Sequence, residues 1–225
     1  MRKIAIALGA CVVLACAGTQ KPATVSDADY GRLAPGQTGP VDEARSELST
    51  AGDAAARAKL RQTEAKHELE LAQADEKAAE AARLKAASAA KSAKESNDPA
   101  KVESARNVSD TAELRKRTAD AHVDYAKKLQ AFRDAEVEAA NQKVSYLEAR
   151  VERSKLAALQ DAQVPAATKY DASMLDAQVS KAQAQKQEAD SKVGSAKAEM
   201  ANAGKAWQEL DREFQARGSA PKTQG

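Results

Sequence analysis

Two histidines, two cysteines and some paired carboxylates are the residues of this 225-residue chain whose types can do chemistry. His67 and His122 each lack a second histidine three or four positions away, so neither belongs to a helical pair that binds zinc. Acid pairs such as Glu68 and Glu70 lie among lysines and arginines, which is typical of a solvated coiled-coil flank. The sequence has no nucleophile elbow and no glycine-rich phosphate loop. We therefore expect no enzyme activity, no metal centre and no cofactor.

The N-terminal residues have the pattern of a targeting sequence. Arg2 and Lys3 precede an uncharged apolar run over residues 4–15. This run is too short to cross a bilayer, which needs about 20 residues. A short basic head followed by such a run is typical of a secretory signal peptide. We predict that residues 1–15 are a signal peptide removed from the mature protein.

The apolar run ends in Val13-Leu14-Ala15-Cys16, which resembles the lipobox of bacterial lipoproteins. The resemblance implies that a peptidase cuts before Cys16 and that this cysteine becomes the lipid-modified N-terminus. Val13 and Ala15 match the pattern, whereas Leu14 is bulkier than the residue usual at that place. Two other interpretations remain, cleavage before Cys11 and an uncleaved N-terminal anchor.

The same resemblance implies a location. In the lipoproteins of Gram-negative bacteria, an aspartate after the lipidated cysteine favours retention in the inner membrane, and the residue at that place is Ala17. We therefore expect a lipid anchor in the outer membrane, facing the periplasm. In an organism with a single membrane, the anchor would lie in the cell membrane.

Removal of the signal peptide changes the inventory of reactive and charged groups. It takes away Cys11 and two of the 35 basic residues, which leaves 33 basic and 33 acidic side chains. Cys16 would carry lipid, so no free thiol remains for a disulfide or a nucleophile. A neutral chain lacks the basic surface that neutralises nucleic-acid phosphates. The partners expected are a membrane and other proteins, with a homo-oligomer among the options, and no nucleic acid.

The overall composition favours long helices. Alanine accounts for 54 of the 225 residues, while leucine, isoleucine, valine and phenylalanine together account for 32. Bulky side chains provide most of the apolar area in a compact core, and this chain has few of them. A mixture rich in alanine, glutamate, lysine, glutamine and arginine is typical of long helices or coiled coil. The composition argues against a sheet protein, an α/β enzyme and a polytopic membrane protein.

Residues 16–40 are predicted to be the lipidated cysteine and a flexible tether. Three prolines and four glycines interrupt residues 17–40, and no apolar repeat is sustained there. A coil of about 24 residues spans roughly 27 Å. Such a tether would let the folded part stand off the membrane.

A strict alternation of three-residue and four-residue steps begins at Val41. One column of this repeat holds alanine at eight successive positions, namely Ala44, Ala51, Ala58, Ala65, Ala72, Ala79, Ala86 and Ala93. A seven-residue repeat predicts left-handed supercoiling, and alanine lets the helix axes approach closely. Leu60, Leu71 and Leu84 lie off this column, which suggests a helix with two neighbours.

Two breaks that contain proline divide the repeat. Asp98-Pro99 is suited to begin a helix, and Val164-Pro165 is suited to end it. Thr168 and Asp171 are candidate caps for the last helix. The predicted segments are helices over 41–96, 99–162 and 168–216 in one coiled-coil domain over 41–217, and a disordered tail over 218–225.

These segments predict an all-α fold. Short connections favour antiparallel neighbours, and helices of these lengths are about 70–95 Å long at ~1.5 Å per residue. We predict one elongated antiparallel coiled coil of about three long helices after the lipidated tether. The alternative is an extended helical hairpin whose remaining apolar face pairs with another chain. Polar residues within the repeat are expected to specify register or partner, and they are Gln62, Glu76, Arg83, Lys116 and Lys186.

The last helix carries the bulkiest side chains of the repeat. Trp207, Leu210 and Phe214 follow one another at heptad spacing near its end. Core packing explains such a cluster, and a partner-docking patch explains it as well, because aromatic residues often anchor interfaces. These three residues are the candidate partner-binding site.

The lipobox and the alanine-rich heptads together make the chain similar to coiled-coil outer-membrane lipoproteins. The murein lipoprotein is the best-known relative in kind, and the likeness is one of architecture. That protein attaches to peptidoglycan through a C-terminal lysine, whereas Lys222 is followed here by three further residues. The resemblance implies a non-enzymatic structural or scaffold component of the periplasm. The alternative function is a periplasmic chaperone, or an adaptor subunit of an envelope transport or motility complex.

Overall fold

The computed structural model describes residues 23–219, and this part of the chain is helical. Three long helices dominate it, with lengths of 57, 63 and 48 residues. They are α2 (Gly39–Glu95), α3 (Pro99–Asp161) and α4 (Ala172–Ser219), preceded by the single-turn helix α1 (Asp27–Tyr30). Short 3-10 turns occur at Pro35–Gln37 and Pro165–Lys169. At ~1.5 Å per residue the long helices extend for about 70–95 Å. The fold is the predicted elongated antiparallel coiled coil.

Helix α3 is the central helix. It packs along α2 on one side and along α4 on the other, whereas α2 and α4 hardly meet. Ion pairs fix the antiparallel register between α2 and α3, with Arg150 at 2.7 Å from Glu47 and Arg83 at 3.6 Å from Glu113. The three helices therefore form an open layer, and a groove lies on each face of α3 between its two neighbours.

The alanine column forms the contact of α2 with α3. Its first seven members, from Ala44 to Ala86, are at most 6% exposed. Ala93, the eighth, is half-buried in the last turn of the helix. Small side chains at every second seam position allow close approach of the two helices, so the long hairpin is held by many small contacts.

The expectation that α2 touches two neighbours is wrong. Leu60, Leu71 and Leu84 are 66%, 49% and 56% exposed. Of the other two long helices, only α3 packs along α2, so the outward face of α2 has no helix to cover it. The three leucines stand one by one among charged residues, which is normal for a protein surface.

The helix boundaries follow capping chemistry. The Asp98 carboxylate accepts the backbone N–H of Ala100 at 3.1 Å and begins α3 as predicted. Helix α4 begins at Ala172, four residues after the predicted start. The carboxylate of Asp171 accepts the N–H of Ser173 at 2.8 Å, so Asp171 is the cap. The hydroxyl of Thr168 instead donates to the Pro165 carbonyl within the 3-10 turn.

The predicted flexible tether needs correction over residues 23–40. Residues 23–38, which we call the N-terminal strap, pack against one end of the helical layer, and α2 begins at Gly39. We call this end the closed end; it contains the start of α2, the end of α3, the Pro165–Lys169 turn and the start of α4. The connection 96–98 at the other end is the hairpin tip. Glycine and proline in the strap shape its turns and do not prevent its docking.

Candidate functional site at the closed end

The N-terminal strap has little structure of its own. Helix α1 is a single turn whose first N–H groups are capped by Ser26, with its hydroxyl accepting the N–H of Ala28 at 3.2 Å. Gly31 closes the turn by donating its N–H to the Asp27 carbonyl at 2.8 Å. An isolated turn of this length is unstable in water. The strap therefore takes its shape from the surfaces on which it packs.

Val25 is the main apolar contact of the strap with α3 and α4. Its side chain is 2% exposed and lies in a buried cluster with Leu156, Leu159 and Leu175. The backbone N–H of Val25 donates to the Glu152 carboxylate at 2.7 Å. One residue thus joins the strap to two long helices by both apolar and polar contacts.

A buried lysine connects the strap to α3 through two carboxylates. Lys155 is 6% exposed, and its ammonium group donates to Asp27 and to Glu152, each at 2.9 Å. Burial alone would lower the pKa of Lys155, but the hydrogen bonds to Glu152 and Asp27 outweigh it and raise the pKa. The hydrogen bond from Lys155 lowers the pKa of Asp27, and Arg45 contributes to the same shift. The pairing favours the charged forms of Lys155 and Asp27.

A second carboxylate of the strap binds the connection between α3 and α4. Asp29 is buried and accepts the hydroxyl of Tyr170 at 2.8 Å. The backbone N–H of Ser26 donates to the same hydroxyl at 3.0 Å, and Lys169 lies 3.5 Å from the carboxylate. The hydrogen bond from Tyr170 lowers the pKa of Asp29 despite its burial. The strap is thereby tied to the 3-10 turn and not only to the long helices.

Tyr30 joins the strap to the beginning of α2. Its ring is 8% exposed and packs with Val41 and Ala158, and the guanidinium carbon of Arg45 lies 4.9 Å from the ring centroid. Its hydroxyl is buried and has no hydrogen-bond partner within residues 23–219. The tyrosine contributes apolar contact and cation–π attraction at this position.

Two grooves begin near the closed end, one on each face of α3. The larger has a volume of about 760 Å³ and lies between α3 and α4, with Ala23 and Thr24 of the strap at its edge. The smaller has a volume of about 320 Å³ and is bordered by Tyr146, Arg150 and Lys186. Volumes of this size are those of ligand or peptide clefts. They exist because α2 and α4 flank α3 without meeting.

The predicted partner-binding residues lie far from the strap, in the C-terminal half of α4. Trp207, Leu210 and Phe214 are all half-buried. The Trp207 ring stacks on His122 of α3, with centroids 4.3 Å apart and planes at 15°, and on Tyr125 at 5.3 Å. The structure thus gives Trp207 partners within its own chain. A role of these three residues in docking another protein stays a prediction.

His122 belongs to a contact among three helices. Its Nε2 atom lies 3.0 Å from the carboxylate of Glu68 on α2, while its ring stacks on Trp207 of α4. His67 is on the surface, 3.7 Å from Glu70. Within the described range, no group of three histidine, cysteine or acidic side chains is arranged to hold a metal ion.

The polar residues of the repeat mostly pair across the α2–α3 interface. The pairs are Gln62 with Asp134 at 2.7 Å, Glu76 with Lys116 at 3.5 Å and Arg83 with Glu113 at 3.6 Å. Lys186 instead pairs within α4, with Asp190 at 2.6 Å. Pairs of this kind penalise any shift of one helix along the other, in agreement with the predicted role in register.

The residues that resemble a lipobox lie outside the described part of the chain. This applies to Val13, Leu14, Ala15 and Cys16, and also to the tail beyond residue 219. The signal peptide, the lipid on Cys16 and the disordered tail over residues 220–225 therefore stay predictions. The predicted start of the tail at residue 218 is wrong, because α4 continues to Ser219. No helix between residues 23 and 219 combines the length and the apolar character needed to cross a bilayer.

Sequence reasoning missed every residue that docks the strap. Val25 and Tyr30 are isolated apolar residues in a stretch without a repeat, and Lys155 reads as one more charge of a coiled-coil flank. The available signal was the order Ser26, Asp27, Asp29, a capping residue followed by acids, which is typical of a helix start. That signal indicates a turn of helix, but it does not reveal what the turn packs against.

No known protein family, curated protein or solved structure matches this chain. The functional interpretation therefore depends on the residues of the lipobox and on the geometry of the helical layer.

Proposed function

We propose that this chain is a non-enzymatic cell-envelope lipoprotein, a rod tethered by lipid on Cys16 that spaces or scaffolds a periplasmic assembly. The outer membrane is the proposed site of the anchor, because Ala17 is not the aspartate that favours inner-membrane retention in similar lipoproteins. Other proteins are its proposed partners, and a second copy of the chain is one option.

The position of the strap at one end of a long rod carries this proposal. Ala23, the first described residue, follows Cys16 by seven positions, and residues 17–22 span at most about 20 Å when fully extended. An anchor on Cys16 would keep the closed end near the bilayer. Helix α2 then runs away from that end for 57 residues, roughly 85 Å, to the hairpin tip. Such a geometry suits a spacer with its free end in the periplasm.

Lipid labelling in cells tests the anchor. An alkyne fatty acid should label the wild-type chain and should not label Cys16→Ser, which should also leave the membrane fraction. Cys11→Ser is the matched control, because it removes the other cysteine of the apolar run and should keep full labelling. Labelling of Cys16→Ser equal to wild type would reject the assignment, and loss of labelling in Cys11→Ser alone would move the modification to that residue.

A second candidate function is a periplasmic chaperone or adaptor that binds other chains. The observation in its favour is the open layer, whose grooves of about 760 Å³ and 320 Å³ leave both faces of α3 accessible between α2 and α4. A rod that acts only as a spacer has no need for such grooves. In this function the sides of the rod would contact clients, whereas a spacer uses its ends.

A further inference from the structure

Four apolar side chains of the N-terminal strap pack against the rod, and two of them, Ala23 and Leu33, are only half-buried. Within residues 23–38 only Val25, Asp29 and Tyr30 are buried, and the remaining residues are exposed or half-buried. Its two structured pieces are one turn of α-helix and one 3-10 turn, neither stable in isolation. Segments with few buried contacts and short local structure open at a lower free-energy cost than the core of a protein. The strap is such a segment, whereas the long helices are not.

Ion pairs and charged hydrogen bonds add to these apolar contacts. Lys155 binds Asp27 and Glu152, and Arg45 lies 3.9 Å from Asp27. The other acid of the strap, Asp29, binds Tyr170 and lies near Lys169 and Arg32. Opposite charges thus face one another across the strap, α2, α3 and the 3-10 turn. Contacts of this type weaken when either partner changes its charge.

The strap and the rod are separable in structure. The long helices bury their own seams against one another, and the strap covers only the ends of these seams. Undocking of the strap would expose Val25 and Tyr30 together with the apolar ends of α3 and α4, but it would break no contact between α2 and α3 in the middle of the rod. Release without unfolding is therefore compatible with the way the layer is built.

We propose that the strap is a releasable clasp that sets the length of the tether between Cys16 and the rod. The change in tether length rests on the proposed function, because it requires the lipid anchor on Cys16. Release of the strap from the rod does not require that anchor. With the clasp docked, six residues separate Cys16 from the strap, a chain length that spans at most about 20 Å; with the clasp open, 22 residues separate Cys16 from α2, a chain length that spans at most about 75 Å. Release lets the closed end move away from the bilayer and lets the rod change its tilt. Acidification and mechanical load are the two conditions that act on contacts of this kind.

Trypsin cleavage after Arg32 in the full lipidated chain tests release. The Arg32–Leu33 bond lies inside the strap, and a docked strap should protect it relative to a synthetic peptide of residues 26–38. Asp27→Asn and Val25→Ala change only the strap, so neither alters the sequence of the rod. Val25→Ala should speed cleavage about tenfold, because cleavage tracks the population of the open segment. Asp27→Asn should speed it about threefold, because the Asp27 side chain is 82% exposed and solvent screens its ion pair. Lys192→Met is the control, since Lys192 pairs with Glu138 and Glu188 on the rod, and it should leave cleavage within about twofold of wild type.

Three outcomes would overturn the clasp. Wild-type cleavage as fast as that of the free peptide means that the strap is not docked. Unchanged cleavage in both strap variants means that these contacts do not hold it. Loss of helix, by circular dichroism, together with faster cleavage means that the strap is an integral part of the rod.

The effect on the tether is read on supported bilayers. A fluorophore on Ser96→Cys at the hairpin tip should show a broader range of energy transfer to a membrane dye in Val25→Ala than in the unsubstituted strap. Equal distributions of energy transfer in the two chains would reject the proposed change in tether length. A chain that fails to bind the bilayer at all would reject the lipid anchor instead, while the trypsin result would still report on the clasp.

Discussion

Lys155 connects the burial of a charged residue to the docking of a segment. An ammonium group that is 6% exposed is unstable without anions beside it, and Asp27 and Glu152 provide them. Because one of these carboxylates belongs to the strap, the burial of Lys155 and the docking of the strap depend on each other. Glu152 adds to this by accepting the N–H of Val25.

Docking of the strap should depend on pH with a defined sign. The pKa values of Asp27 and Asp29 are lowered from 3.8, by Lys155 and Tyr170 respectively, so docking stabilises the deprotonated acids. Their contribution is present above pH 3.8 and is lost as the pH falls through the lowered values. The pKa of Lys155 is raised from 10.5, so its contribution is present below that pH and is lost above it. Docking should therefore be strongest between about pH 5 and pH 9.

Hydrogen exchange measures this pH dependence, with rates corrected for intrinsic exchange. The amide of Gly31 donates to the Asp27 carbonyl and reports on the docked strap. Its protection should fall at pH 3, whereas the amide of Ala72, in the middle of the rod, should stay protected. Equal protection of Gly31 at pH 3 and pH 7 would show that the two carboxylates do not hold the strap.

At the scale of elements, the packing of α4 on α3 depends on a few bulky residues, whereas the packing of α2 on α3 depends on many alanines. Helix α2 has eight buried alanines, the seven of the column and Ala55. Helix α4 also buries two alanines, Ala182 and Ala189, but it adds the buried Leu175 near its start. Near its end Trp207 stacks on His122, and the Cβ that Gly204 lacks would lie 3.3 Å from the Tyr125 ring. Truncation of a single side chain should therefore lower the free energy of unfolding more on α4 than on α2.

Trp207→Ala should lower the free energy of unfolding by about 2–3 kcal/mol, which is less than the ~3–5 kcal/mol of a fully buried aromatic residue because Trp207 is half-buried. Thermal melts of the chain measure the loss. Leu60→Ala is the matched control, since Leu60 is 66% exposed and its truncation should change stability by less than about 0.5 kcal/mol. An unchanged melting temperature for Trp207→Ala would reject the packing role and favour the docking of a partner.

At the scale of the whole molecule, the layer has two ends and two open faces. The strap packs on the closed end, and the hairpin tip is a three-residue connection about 85 Å away, by the length of α2. The open faces arise because α3 separates α2 from α4. A spacer and a client-binding protein use different parts of this shape, so the place where partners are found separates the two proposed functions.

Photo-crosslinking in intact cells locates the partners. A photoreactive residue at Asn97 samples the hairpin tip, and one at Ala177 samples the larger groove. A tethered spacer should give discrete crosslinked products from Asn97 and few from Ala177, because its contacts are made at the end of the rod. Many heterogeneous products from Ala177 with none from Asn97 would contradict the spacer and favour the chaperone. A photoreactive residue at Leu60, on the outward face of α2, measures background crosslinking.

The sequence alone determined the long helices and their antiparallel pairing. The alanine column from Ala44 to Ala86 is buried as its spacing predicts, and the breaks at Asp98 and Val164 separate the helices. Heptad spacing is repeated many times along the chain, so it predicts long helices even where a few positions do not match. Capping and proline chemistry act within a few residues, which makes the starts and ends of helices readable from local sequence.

Only the tertiary structure decided which helix is central and what happens to residues 23–38. Several helix orders bury the same seams, and the choice of α3 as the middle helix leaves Leu60, Leu71 and Leu84 exposed. Docking of the strap depends on contacts between residues 127 and 128 positions apart, Val25 with Glu152 and Asp27 with Lys155. Each contact occurs once and between residues of common type, so no periodicity marks it. These contacts can stabilise the strap only after the long helices have brought the end of α3 beside the start of α2.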